Sequence, residues 1–534
     1  MRLIFVLLFL FFEYKSFSQV QLRDLEFTNE KARRDFLIGQ DPFLKGIRPI
    51  LVFARDSVDE IPFDENSNLK TKVLPIYSTT RFVSKRPYGW GDFGMLPSVG
   101  FQQYLSTGFE GKWNFLHLRL QPELVIAQNN SYEGLSENFP TSVINDKYFH
   151  WNKGDYPEII GDSPYARFWW GQSKLTAHYQ AFEIGISTSN LWWGPGQWNS
   201  LSFSNNAEGF PMLSLNTVKP AKTFLGNFET ALIIGKLSSS NTEPAQNQKL
   251  NDQYFENLPT DWRYLNALMV DYSPKWVPDL HLGFIRTFQV YDSLRGNTFN
   301  DWLPVFEGFQ KKNFFENGNS INFDANGRSQ QLVLYGKYSI KRAKTEIYFE
   351  LGRRDHAFNW RDYILNPEHA RAYLFGFLKL ISLPNKGRFL QVRGEITHQQ
   401  ESINRVIRYL NPGGFVSWHM HGQTRGFTNR GQALGVGLGQ GGNVQTLEFA
   451  IVEEWKKLGF LLERLENDQG FFYRIAYLPS ERKPWVDLSL GFLYDKQFDN
   501  LLLSSKLQLI HARNYQWQLD PASTPEFPKG ENLT

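Results

Sequence analysis

Two stretches of this sequence concentrate residue types that bind sugars. The first is Leu191-Trp192-Trp193-Gly194-Pro195-Gly196-Gln197-Trp198, followed by Leu201-Ser202-Phe203-Ser204-Asn205-Asn206-Ala207. Gly-Pro-Gly breaks a strand, so three tryptophans are gathered around a rigid turn. Indole faces stack on the apolar faces of sugar rings, and the amides of Asn205 and Asn206 can bond paired hydroxyls. The same tryptophans would equally suit a barrel interior or an interfacial belt. The second stretch runs from Trp418 to Gly442 and contains Arg425 and Arg430, whose forked N–H donors suit uronates and other acidic sugar groups. The candidate polysaccharide-binding residues are therefore Trp192, Trp193, Trp198, Asn205, Asn206, Arg425 and Arg430.

Other chemistries are less well supplied. His419 and His421 alternate, which suits a metal only on a strand, and no carboxylate or cysteine lies close by, so no metal is expected. Gly437-Leu438-Gly439-Gln440-Gly441-Gly442 fits a dinucleotide fingerprint only formally. It lies in a glycine string with no βαβ unit around it, and close backbone packing is the better reading. No cofactor is expected. There is no nucleophile elbow, and no segment singles out a pair of acids, so catalysis is not expected either.

The elements that must position these stretches read as strands. Thr345, Ile347, Phe349 and Leu351, with Ala343 before them, alternate with Lys344, Glu346, Tyr348 and Glu350. Leu390 to Thr397, Leu116 to Gln121, Val486 to Phe492 and Leu503 to Leu509 repeat the pattern. Glu453 to Leu465 fits either period, and the central Gly459 favours a strand. Connections are of two kinds. Ser382 to Gly387 is short and polar, whereas Asn129 to Tyr165 and Gln399 to Asn429 are long and irregular. That asymmetry belongs to outer-membrane barrels. Glu30 to Leu37 is rich in helix formers, and the segment around it (Asp24 to Phe43) reads as a short periplasmic helix.

The N-terminus and the composition point the same way. Arg2, the apolar run Leu3 to Phe12 and the small residues Ser16 and Ser18 form a secretory signal, with the mature chain expected at Gln19. No cysteine exists, which excludes a cysteine-linked lipid anchor and disulfides. Aromatic residues make up 16% of the chain, a load expected of interfacial girdles or sugar platforms. A mean hydropathy of −0.41 does not oppose a barrel, because lumen-facing residues dilute the lipid-facing ones. The net charge of +3 gives no nucleic-acid footprint. The expected organisation is a signal peptide at 1–18, a periplasmic segment at 19–70 and a barrel with plugging loops at 71–534.

Trp192-Trp193-Gly194-Pro195, Leu201 to Ala207, Gly426-Phe427-Thr428-Asn429-Arg430-Gly431-Gln432-Ala433-Leu434-Gly435, Gly439 to Asn443 and Glu463-Arg464-Leu465-Glu466-Asn467-Asp468 together resemble the Wzi family of capsule-assembly proteins. The resemblance covers most of the mature chain. It departs at Asn429, where the family pattern suggests histidine, and in Gly-Gln-Gly-Gly-Asn, which lacks a proline and a serine. It implies an all-β transmembrane antiparallel barrel of about 18 strands with some periplasmic helix, closed rather than open. It also implies lectin-like attachment of capsular or exopolysaccharide at the outer membrane. The expected partners are that polysaccharide and outer-membrane lipid, with the chain acting as a monomer. A transport channel for saccharides or small solutes is the alternative that shares the barrel.

Overall fold

The computed structural model describes residues 26–39, 69–257, 259–308, 327–354, 364, 370–400, 418–475, 483–519, 522–524 and 529–534. The expected signal segment and most of the 19–70 segment lie outside the described residues. From Leu69 onward the regular structure of the described residues is mostly antiparallel strand.

The first strands are β1 (Leu69–Val73), β2 (Tyr77–Val83), β3 (Gly100–Ser106), β4 (Phe109–Trp113), β5 (Leu116–Leu120), β6 (Glu123–Ala127), β7 (Tyr165–Trp169), β8 (Lys174–Tyr179), β9 (Phe182–Ser187), β10 (Met212–Thr217) and β11 (Ala221–Lys222). Longer ones come next: β12 (Gly226–Leu237), β13 (Arg263–Pro274), β14 (Leu280–Tyr291), β15 (Ser329–Ile340), β16 (Thr345–Arg354), β17 (Arg371–Ser382) and β18 (Phe389–His398). After the short hairpin β19 (Thr428–Asn429) and β20 (Gln432–Ala433) come β21 (Asn443–Glu453), β22 (Lys456–Glu466), β23 (Val486–Phe498), β24 (Leu501–Arg513) and β25 (Asn532–Leu533).

Ladders run β1–β4–β5–β8–β9–β10–β12 and then in order through β18, β21 and β24. A second sheet, β2–β3–β6–β7, continues four of these crossings beyond a shared break. Pro75 and Pro122 stand at two of the breaks, where they remove ladder donors. Counting each broken pair once, the described residues make seventeen crossings. The two residues of β25 pair antiparallel with the end of β24 and give the direction of a further one. The connection after β2 reaches the last strands, with Arg86 on Asp487 and Tyr88 packed on Val444 and Leu465.

The wall is inverted relative to a soluble protein. Ile347, Leu351, Phe375, Phe449, Leu458, Phe460, Leu488 and Leu490 are exposed, while Glu346, Glu350, Arg393, Glu395, Glu448 and Asp487 are buried. Exposed apolar side chains alternating with buried charges are what a lipid-facing surface and a filled lumen require. The wall strands from β12 to β18 and from β21 to β24 have 10 to 13 residues, long enough to span a tilted crossing. No helix among the described residues is long and apolar enough to cross a membrane.

The two ends differ as expected. At one end the turns are tight and use left-handed residues: Asn114, Gln180, Asp279, Lys344, Glu454 and Asp499 all have positive φ. Ala343 and Lys344 belong to such a turn, so β16 starts only at Thr345. Exposed Trp113, Phe115, Tyr179, Phe224 and Trp276 ring this end. The long connections leave from the other end; of the one expected at Gln399 to Asn429, residues 401–417 lie outside the described residues. One of them, 128–164, is not irregular throughout. It holds a helix (Thr141–Trp151) whose Val143, Ile144, Tyr148 and Trp151 pack with Phe471, Phe472 and Trp517. The ambiguous Glu453 to Leu465 stretch is the end of β21, a two-residue turn and β22.

The expected N-terminal helix exists as α1 (Glu26–Ile38), but it sits inside the tight-turn mouth of the barrel. Leu37 packs on Leu378 and Leu380, and Lys31 lies 4.9 Å from the Trp455 ring centre. The reason is charge. Glu30, Arg33 and Arg34 are buried, and the inner wall supplies Arg393 and Lys457 for Glu30 and Glu346 for Arg33.

Candidate functional site

Two long connections, 188–211 and 418–442, fold back into the bore and knit together. Ser204 donates from N to Leu434 O (2.7 Å) and from Oγ to Gly435 O (2.5 Å). Trp418 Nε1 donates to Leu201 O (2.9 Å), and Asn206 Nδ2 to Ala433 O (3.0 Å). Around this joint lies the largest apolar core, with Trp193, Phe203, Phe210, Trp418, Phe427 and Val436 packed against inward residues of the wall. The glycine string is used as expected, for close approach. A Cβ on Gly435 would stand 2.2 Å from Leu201 O.

The tryptophan turn is held by two glutamates of the wall. Glu350 accepts from Gly196 N (3.1 Å) and Leu201 N (2.8 Å). Glu395 accepts from Gln197 N (2.5 Å), Asn199 N (2.9 Å) and Tyr348 Oη (2.9 Å). Successive backbone N–H groups thus form nests around buried carboxylates. From the other end, Arg33 of α1 donates to Pro195 O (2.6 Å) and pairs with Glu346 (2.5 Å). Helix and turn therefore meet in the middle of the bore. Burial pushes Glu30 up, but Arg393, Lys457 and Arg34 outweigh it and hold its carboxyl well below the usual range.

The seven sequence-chosen residues fall into two groups. Trp192, Trp193, Asn205, Asn206 and Arg425 are buried. Trp193 is only 4% exposed and meets the Phe203 ring edge-on at 5.0 Å. Asn206 Oδ1 accepts from Gly91 N, and Arg425 binds Asn152 O and lies 3.5 Å from Glu256. The space left beside Trp192 and Trp193 is 60 Å³, room for a few waters and not for a hexose. Trp198 is half-buried under the Arg393 guanidinium, 4.4 Å from its ring centre. Arg430 is the exception, with its side chain 40% exposed.

Arg430 belongs to a constellation that the linear sequence conceals. Its Nε bonds Glu208 at 2.8 Å, and Arg167 of β7 bonds the same carboxylate with two N–H groups at 2.7 and 2.8 Å. Half-buried Tyr165 stands two residues from Arg167 on the same face of β7. Two guanidiniums share one carboxylate, so the cluster keeps a positive charge at the end of the barrel that carries the long connections. Only the inward alternation of β7 hinted at Arg167, and nothing local pointed to Glu208.

The histidines also regroup. His419 is buried near Arg354, and His421 Nδ1 accepts from Thr424 N (3.2 Å) in a turn. Among the described residues, His117, His178 and Glu183 instead bring ligand atoms within 4.8 Å of one another. They are already bonded, His117 to Glu110 (2.5 Å) and His178 to Glu183 (2.7 Å), while Lys174 (3.2 Å) and Arg119 (3.2 Å) neutralise the two acids. A divalent ion would have to displace those cations, so the group reads as a polar lining of the lumen.

A wall that is apolar outside and charged inside, with aromatics at its edge and its own loops in its bore, defines a plugged transmembrane β-barrel. Residues 84–470 match the family described as capsule assembly protein Wzi, and the chain belongs to that family of outer-membrane barrels. The fold is similar to that of Wzi from Escherichia coli, described as an outer-membrane, carbohydrate-binding β-barrel involved in group 1 capsule assembly. The TM-score is 0.51 at 12% identity, covering 84% of this chain and 81% of that one. OccAB4 of Acinetobacter baumannii and OccK5 (OpdH) of Pseudomonas aeruginosa align more loosely, with TM-scores of 0.35 and 0.32, each at 10% identity over 83% of this chain and 91% of theirs. No protein of curated function matches the sequence.

Proposed function

We propose that this barrel binds capsular or exopolysaccharide at the cell surface and takes no part in its chemistry. The observation that carries the reading is the Arg167–Glu208–Arg430 cluster. Forked donors with surplus positive charge suit the carboxylates of acidic sugars, and Tyr165 offers a ring beside them. Trp192, Trp193, Trp198, Asn205, Asn206 and Arg425 then act mainly by holding the loops that present Arg430. A repeating polymer offers one epitope many times, so a weak site still retains it through effective concentration. Binding without turnover agrees with the state of Glu350 and Glu395, whose oxygens are engaged by backbone donors.

The test is a strain lacking the gene and one carrying Arg167→Ala with Arg430→Ala. The deletion should release polymer into the medium while synthesis continues. The double variant should insert normally and retain less polymer. Full retention by the double variant would refute the site, and full retention by the deletion would refute the function. The alternative, a channel for saccharides or small solutes, needs an open bore. The loops and helix that meet at Pro195 argue against it, and a steady current through purified protein in a planar bilayer would revive it.

A further inference from the structure

The outer wall carries a cleft that this reading does not use. It has a volume of 560 Å³ and is floored by Leu118, Leu175, Ile186, Leu213 and Ile234. Leu175, Ile186 and Leu213 are exposed, so the cleft opens away from the filled lumen, toward lipid. Its rim, toward the end with the long connections, is made by Trp170, Trp262 and Trp302.

The rim is built rather than incidental. Arg295 stacks on Trp302 at 3.7 Å from the ring centre, Tyr264 meets that indole edge-on, and Tyr264 Oη also bonds Trp302 O. Trp170 stands 63% exposed across the cleft. Lys236, exposed at the outer end of β12, holds its ammonium 5.0 Å from the Trp262 ring centre. Among the described residues it forms no ion pair. The neighbouring acid Asp261 is bonded to the backbone N–H groups of Trp262 and Ser293.

A cleft in a lipid-facing wall is filled by what the bilayer supplies, and apolar walls select acyl chains. The cation and the indoles select the headgroup. Lysine attracts phosphate, and exposed indoles stack on sugar faces. We infer that the cleft binds a phosphorylated, acylated glycolipid of the outer leaflet. Its chain lies along Leu175, Ile186, Leu213 and Ile234, its phosphate meets Lys236, and its sugar covers Trp170 or Trp302. This site lies on the lipid face, apart from the Arg167–Glu208–Arg430 cluster, and stands or falls independently of polysaccharide binding.

Native mass spectrometry of the detergent-purified full chain tests it, with a lipid A-type glycolipid and phosphatidylglycerol as probes. The wild type should retain the glycolipid preferentially. Lys236→Ala and Trp262→Ala should each bind it about fivefold more weakly. Lys236→Arg should restore binding, which separates lost charge from misfolding. Lys456→Ala, at the opposite end of the wall, should have no effect. Equal retention by wild type and Lys236→Ala overturns the proposal, as does equal affinity for phosphatidylglycerol.

Discussion

At the scale of single residues, the buried arginines of the wall act as clamps for the loops. Arg263 donates to Thr424 O (3.1 Å), Gly426 O (2.8 Å), Thr428 O (2.9 Å) and Ser238 O (3.2 Å) from one guanidinium. Gly426 O keeps Gln289 Nε2 (2.7 Å) and Ser238 O keeps Arg430 N (2.8 Å), so the loss of the side chain falls mainly on Thr424 O and Thr428 O. Arg263→Met should therefore destabilise the folded barrel by about 3 kcal/mol, the cost of leaving buried acceptors unmade. Urea unfolding followed by tryptophan fluorescence reads this directly, and an unchanged midpoint would count against the clamp. His419 makes a pH-dependent contribution. Burial, and then the Arg354 guanidinium, push its pKa from the ordinary 6.5 down to about 3. The unfolded chain then binds the extra proton first, so this contribution is intact above pH 6.5 and is lost as pH falls from 6.5 toward 3. Asp155, raised by its burial, has the opposite sign, because its neutral form suits the fold and acid relieves it. Between roughly pH 6.5 and 4 the two overlap, because Asp155 takes up its proton above the usual aspartate range, so a variant at His419 is needed to isolate the histidine part. Limited proteolysis of the 418–442 connection should accelerate across that range, and His419→Gln should abolish the acceleration.

At the scale of elements, the tryptophan turn depends on a glycine more than on any one indole. Gly194 has φ +127°, and a Cβ there would lie 2.2 Å from Glu350 Oε1. Gly194→Ala must move the turn off its carboxylate, whereas Trp193→Ala leaves the turn in place and opens a cavity costing about 3–5 kcal/mol. Both should weaken the heat-resistant folded band on gels. Only the glycine variant should also free the 188–211 connection to protease while the wall stays folded. The wall strands β5, β16, β18, β22 and β23 were legible in the sequence because a lipid-facing wall must alternate. The turn at Ser382 to Gly387 was legible from its Pro-Asn-Lys-Gly, whereas Ala343 and Lys344 continue the alternation and read as strand although they belong to a turn. The loops were not legible. Arg430, Glu208 and Arg167 are brought together by tertiary folding, with only the alternation of β7 hinting at one of them, and Trp193, read as a sugar platform, packs into the apolar core of the joint. Burial decides between those uses of tryptophan, and composition is silent about burial. The N-terminal helix was legible as a helix, but its lumenal place depends on Glu346, Arg393 and Glu448, hundreds of residues away in sequence.

At the scale of the whole molecule, the bore is filled from both ends, by α1 and by the folded-back loops, and the two fillings share the Arg33–Pro195 contact. The wall does not need α1 to exist, because its ladders are continuous without it. The inner wall does need α1 for charge balance. Glu30 sits among Arg34 (2.5 Å), Arg393 (3.1 Å) and Lys457 (2.7 Å), and Arg33 answers Glu346 (2.5 Å). Removing residues 26–38 would leave those wall charges facing a hydrated vestibule. Water screens them far better than protein does, so the loss should be borne without unfolding. The expected outcome is a barrel that still inserts, with lower stability, and that passes current only if the loops alone cannot seal it. Since the Arg33 contacts to Pro195 and Gly196 tie the tryptophan turn from below, the deletion should loosen that turn, and flickering conductance should replace the silence of the full chain in planar bilayers. The double charge reversal Arg33→Glu with Glu346→Arg separates the two roles. If the ion pair alone matters, the reversal stays silent; if the carbonyl contacts matter, it flickers like the deletion. Silent bilayers from the deletion itself would show that the loops seal the bore unaided and that the helix serves charge balance only.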